Sequence, residues 1–114
     1  MRSDLLTEEY RAERLQPLLD SGWHMVPGKD QITRKYTFAN FRMAFGWMTV
    51  AGMEAEKMNH HPEWTNTWNR VSVMLTTFNK GGLTDLDVRL ARRMDKLAQQ
   101  FGAEQGRTET PPRA

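Results

Sequence analysis

The segment from Asn40 to Pro62 most constrains what this chain can fold into. Phe41, Ala44, Phe45, Met48, Ala51, Ala55 and Met58 recur at three- and four-residue intervals, the spacing that lines one face of an α-helix. Asn40 can cap the first turn with its side-chain oxygen, and Pro62 pushes the residue before it out of helical geometry. The expected helix therefore runs for about 18 residues and ends before Pro62. Its apolar stripe has to be buried. Trp47, Val50 and Met53 widen that stripe beyond one face, which predicts contact with a second subunit as well as with the chain's own sheet.

On both sides of this helix the apolar period changes to strict alternation. Ile32, Arg34, Tyr36 and Phe38 alternate with Thr33, Lys35 and Thr37, and the turn Pro27-Gly28-Lys29-Asp30 joins them to a short strand from Trp23 to Val26. That is a hairpin pattern. A second hairpin is expected from Trp64 to Trp68 and Val71 to Phe78 around Asn69-Arg70. In its second strand Val71, Val73, Leu75 and Thr77 share one face, while Ser72, Met74, Thr76 and Phe78 share the other.

Two more helices frame the hairpins. Thr7 with Glu8 and Glu9 opens the first, which runs to Asp20 with Pro17 expected to bend it after Leu15 and Gly22 as its exit. Thr84 with Asp87 opens the last, whose stripe is Leu90, Met94, Leu97 and Phe101 and whose end is Gly102. The order α-β-β-α-β-β-α predicts an α+β fold, a four-stranded antiparallel sheet with three helices packed on one face. Residues 1–102 form one domain in this reading. Residues 103–114 lack periodicity, contain two prolines and are expected to be a disordered tail.

Composition narrows the chemistry. With 114 residues, 39% of them hydrophobic, the chain can bury one core. No cysteine is present, which removes disulfides, thiolate metal sites and a thiol nucleophile. No apolar run reaches the ~18 residues of a membrane span, and the N-terminal stretch does not read as a secretory signal, so a cytoplasmic location with no membrane partner is expected. Sixteen basic residues against fourteen acidic ones leave a net charge of only +2. The densest basic stretch, Arg89, Arg92, Arg93 and Lys96, is interrupted by Asp87 and Asp95, and reads as a solvated helix face rather than a phosphate-binding surface. No nucleic-acid partner is expected.

The least ordinary local feature is Glu56-Lys57-Met58-Asn59-His60-His61-Pro62-Glu63-Trp64, where helix gives way to strand. Adjacent histidines diverge on a helix and on a strand, so both can serve one pocket only where the backbone is irregular. Two other readings stand beside that one. The pair can be surface histidines at the negative helix end, or Glu56 and His60 can belong to a metal site, for which no third ligand lies nearby.

The run from Phe38 to Ala98, above all FRMAFGWM, AEKMNHHPEW, WNRVSVML and GLTDLDVRLA, resembles the pterin-4a-carbinolamine dehydratase family. The same fold is known as a dimerisation cofactor of a homeodomain transcription factor. The resemblance rests on Glu56, His60, His61, Pro62, the aromatic Trp68 and Asp87. It implies a lyase with neither metal nor organic cofactor, which removes water from 4a-hydroxytetrahydropterin to give the quinonoid dihydropterin. His60 and His61 would be its acid and base, with Glu56, Pro62, Trp64, Thr76, Thr77 and Asp87 around the pterin. A third histidine, after the fourth strand, completes the family's set. Here that position is Phe78, which can neither carry a proton nor donate a hydrogen bond. Leu86 also departs from the basic residue that many members carry. The resemblance thus leaves two functions open: an active dehydratase in pterin recycling, or a binding or assembly protein with weakened or lost activity, as in the branch that assists RuBisCO assembly in carboxysome systems. It further implies a homodimer or homotetramer.

Overall fold

The computed structural model describes residues 4–104. The central helix forms at Phe41–Met58, and the Asn40 side chain accepts from the Met43 N–H at 2.9 Å. It is Asn59, not Pro62, that ends it. Asn59 takes a left-handed conformation with φ 53°, and the His60 N–H closes back onto the Ala55 carbonyl at 3.0 Å. Asparagine tolerates that conformation better than other non-glycine residues. The chain has therefore left the helix before Pro62 can act on it.

Strands β1 (His24–Met25), β2 (Ile32–Thr37), β3 (Glu63–Thr67) and β4 (Arg70–Leu75) pair antiparallel in the order β1-β2-β4-β3. Ile32, Tyr36, Val71, Val73 and Leu75 are buried on one face, whereas Thr33, Lys35, Ser72 and Met74 on the other are partly or fully exposed. The helices cover the first face. Trp47 of the central helix packs on Tyr36 at 4.6 Å and Phe38 at 5.4 Å between ring centroids, and its Nε1–H donates to the Met94 carbonyl of the last helix at 3.1 Å. The expected three-helix, four-strand α+β architecture is the one observed.

The second hairpin turn and the end of β4 depart from the alternation pattern. The second hairpin turns at Trp68-Asn69, because Thr67 pairs with Arg70. Trp68 sits there at φ 51°, and Asn69 anchors the turn through its Nδ2–H to the Phe38 carbonyl at 2.7 Å. Strand β4 stops at Leu75, whose partner Ile32 is the first residue of β2, while Met74 pairs with Glu63, the first of β3. Beyond Leu75 neither neighbour continues, so the ladder has no partner to extend onto. Phe78–Lys80 instead wind into a single 3-10 turn closed by Gly81 at φ 77°.

The first helical stretch, 8–21, is capped by Thr7, whose Oγ1 accepts from the Tyr10 N–H at 3.1 Å. Arg11–Leu15 widen into a π turn before Gln16–Ser21 resume the α-helix. That wide turn accommodates Pro17, which has no N–H and would crowd the carbonyl four residues back. Gly22 then turns the chain at φ 139°, so close to Arg34 that a Cβ would lie 2.8 Å from its Cζ. The last helix, Asp85–Gln100, presents Asp95 to the Trp23 Nε1–H, the Tyr36 hydroxyl and Arg34 Nη1. Burial pushes the Asp95 carboxyl above its ordinary value, and burial followed by the Asp95 charge pushes the Tyr36 hydroxyl well up. Past the helix, Ala103 is buried and the Glu104 N–H donates to the Thr37 carbonyl at 2.9 Å. Residues 105–114 of the expected tail lie outside the described residues.

An acid-sensitive tie joins the first helix to the hairpin loop. Arg11 donates to both oxygens of Asp30, at 2.9 and 2.8 Å, and the Leu83 N–H adds a third bond at 3.0 Å. The Arg11 hydrogen bonds, ahead of the Leu83 amide, hold the Asp30 carboxyl below its ordinary value of 3.8. A lowered folded-state value means that the tie stabilises fully above the unfolded value and is lost as pH falls through the folded one. Asp95 is shifted the other way, so its contribution improves as pH falls. Asp30→Asn is therefore expected to flatten the decline of the urea midpoint between about pH 5 and pH 2.5 relative to the parent. An unchanged decline would remove the tie from the acid response.

Candidate active site

Three segments converge beneath the end of the central helix: the 59–62 loop, the end of β4 and the first turn of the last helix. The left-handed Asn59 directs His60 inward, and its Nε2 lies 2.6 Å from Asp87 Oδ1. Asp87 is fully buried. Its other oxygen accepts from the Thr77 hydroxyl at 2.8 Å and the Thr84 N–H at 2.9 Å. A carboxylate only accepts, so His60 Nε2–H and Thr77 O–H are the donors. With the Thr77 proton committed, the Thr84 hydroxyl must donate to Thr77 Oγ1 across 2.8 Å, while Thr84 Oγ1 accepts from the Leu86 N–H at 3.2 Å. Every hydroxyl proton in the cluster has one acceptor. The consequence for His60 is chemical: Nε2 carries hydrogen and, in the neutral ring, Nδ1 is left as the basic nitrogen.

Asp87 does this while also capping a helix, which is why it can be buried. At the third position of the last helix its carboxylate takes the N-cap amide and sits at the positive helix end. Thr77, two residues past β4, and Thr84, the helix N-cap, complete the cluster. Of these, Thr84 was legible in sequence only as a cap.

His61 faces the other way. It is more than half exposed, and its Nε2 lies 2.8 Å from Oε1 of the exposed Glu56. The 59–62 irregularity therefore separates the histidines into a buried His60–Asp87 pair and a surface His61–Glu56 pair. Phe78 follows Thr77 directly and is 70% exposed. It borders a depression of about 310 Å³ together with Thr76 and the 28–31 loop. Thr76 itself is buried and its hydroxyl donates to the Asp30 carbonyl at 3.0 Å, holding that loop. Trp64 is half-buried with its ring edge-on to Trp47 at 5.9 Å and over Gly52. Pro62 links the histidines to β3. Trp68 lies at the far end of β3 from this cluster, and His24 is exposed on β1. Among the described residues, no three His, Asp or Glu side chains converge as a metal site requires, and no helix is long and apolar enough to cross a membrane.

The profile of the Pterin 4 alpha carbinolamine dehydratase family matches residues 4–97. The chain belongs to that family. Within the family it is 52% identical, over 84% of its length and 98% of the other protein, to a Roseobacter denitrificans protein named "Putative pterin-4-alpha-carbinolamine dehydratase". It is 47% identical to the pterin-4-alpha-carbinolamine dehydratase of Drosophila melanogaster over 82% of this chain and 48% of that longer protein. The fold is similar to a crystal structure of a transcriptional coactivator/pterin dehydratase from Brucella melitensis, with TM-score 0.75, 44% identity and coverage of 83% of this chain and 99% of that one. The pterin-4a-carbinolamine dehydratase resemblance carried by the His60-His61-Pro62 block is thus shared by nearly the whole described domain.

Proposed function

We propose that this chain is a dehydratase-fold protein whose 4a-hydroxytetrahydropterin dehydratase activity is weakened or lost, and whose working role is to bind or assemble another protein. The carrying observation is Phe78, 70% exposed at the position where the resemblance places a third histidine. Dehydration needs a base to take a ring-nitrogen proton and an acid to protonate the departing hydroxide, releasing water. The imidazoles of His60 and His61 offer nitrogens that can accept or donate a proton, whereas Phe78 can supply neither group. Loss of one positioned acid or base costs ~10²–10⁴-fold in rate.

An exposed phenylalanine is, conversely, suited to a protein contact, and Phe41, Phe45 and Met53 add further exposed apolar side chains on the central helix. Phe41 and Phe45 stack with ring centroids 5.5 Å apart. Assembly as a homodimer or homotetramer in the cytoplasm belongs to this reading. So does a client such as RuBisCO, which the assembly-factor branch of the resemblance implies.

A second reading, an active dehydratase in pterin recycling, is favoured by the complete His60–Asp87–Thr77–Thr84 chain of hydrogen bonds. The two are separated by the initial rate of the purified chain on 4a-hydroxytetrahydropterin. The rate expected is at least ~10²-fold below that of a three-histidine relative assayed alongside. Comparable rates would establish the second reading and end the first.

A further inference from the structure

Away from the His60 cluster, the antiparallel central and last helices leave a groove of about 590 Å³. Lys57 of the central helix stands on one bank; Arg89, Arg92, Arg93 and Lys96 of the last helix stand on the other, and Met58 also lines it. One carboxylate shares the lining, Glu54, which lies 2.9 Å from Arg93 and ties the banks together. Arg89 is loosely held by Asp85 at 3.4 Å. Among the described residues Lys57, Arg92 and Lys96 enter no ion pair.

This concentration is not what a solvated face requires. Five cations meet one carboxylate in the groove, although the whole chain carries a net charge of only +2. Like charges three and four residues apart on a helix repel, and Lys57 brings a further cation from a second helix. A bound anion would relieve that repulsion. Arginine forks match phosphate oxygens two at a time, and lysine adds point charges.

Size decides which anion. From Arg89 to Lys96 the stripe extends about 10 Å along the helix, which suits two or three linked phosphates and is too short to track a nucleic-acid backbone for several phosphates. The volume falls within the roughly 300–1,000 Å³ of small-molecule sites, and Met58 offers an apolar surface to an organic group. We propose that the groove between the central and last helices binds the polyphosphate group of a small phosphorylated ligand, gripped by Arg89, Arg92 and Lys96 on one bank and Lys57 on the other.

Calorimetric titration of the full chain with inorganic triphosphate and, separately, with ATP tests this. Saturable binding is expected to weaken about tenfold in Arg92→Glu and again in Lys96→Glu, and to weaken as salt is raised. Lys35→Glu, an exposed cation on the uncovered sheet face, should leave affinity unchanged. Circular dichroism melts confirm that each variant is folded. Tighter binding of ATP than of triphosphate would assign a phosphate ester, and the reverse free polyphosphate; both support the site. Absence of binding, affinity indifferent to Arg92→Glu, an equal loss in Lys35→Glu, or stronger binding of duplex DNA per phosphate would each overturn it.

Discussion

Replacing Phe78 by histidine is expected to raise dehydratase turnover by ~10²-fold or more over the parent chain. Three features make the expectation sharp. The position follows Thr77, whose hydroxyl is fixed by Asp87 at 2.8 Å, so the backbone that presents the new imidazole is already tied to the buried carboxylate that pairs with His60. The side chain is 70% exposed, so the change removes no core contact. The 3-10 turn of Phe78–Lys80 is held by its own backbone bonds and by Gly81, neither of which involves the phenyl ring. The gain should appear in kcat and bring a pH dependence in the titration range of histidine. No gain would mean that the surrounding pocket, and not one missing proton carrier, limits the reaction.

Asp87→Ala is expected to cost ~3–5 kcal/mol of unfolding free energy, read as a lower urea midpoint at constant slope. The carboxylate is fully buried and accepts from His60, Thr77 and the Thr84 amide. Removing it leaves three buried donors without an acceptor, each a cost of ~1–3 kcal/mol, and abolishes one half of the capping box. Partial collapse and water entry keep the total below the sum. The Asp87→Asn variant keeps the shape but can accept through only one of its two side-chain atoms, so its loss should be intermediate. A change under about 1 kcal/mol in Asp87→Ala would show that the cluster contributes position and not stability.

The central helix shows where local pattern suffices and where it does not. Its start needs only Asn40 and the stripe behind it, because an N-cap is a contact between residues three apart. An equally local rule places its end at Pro62, yet the backbone has already turned at Asn59. Asparagine's tolerance of left-handed geometry is permissive, not obligatory, and nothing in its neighbours' identities announces that it is used. Strand β4 fails for a different reason. Alternation runs through Phe78, but a strand lasts only while a neighbouring strand accepts its hydrogen bonds, and both neighbours end opposite Met74 and Leu75.

The same division holds at the site. His60, His61, Glu56 and Asp87 were identifiable as residue types in a recognisable block, and Thr84 as a cap. The partners were not, since His60 and Asp87 stand 27 positions apart and His61 and Glu56 five.

Read alone, the order of residues determined the α+β class, the capped helices and the chemical inventory, because those follow from periods and contacts spanning a few positions. Only the tertiary structure decided which histidine is buried against Asp87 and which faces outward with Glu56, and that Lys57 shares a groove with the arginines of another helix. Those outcomes depend on how distant segments pack, and packing is settled by the burial of the whole core and not by any one segment.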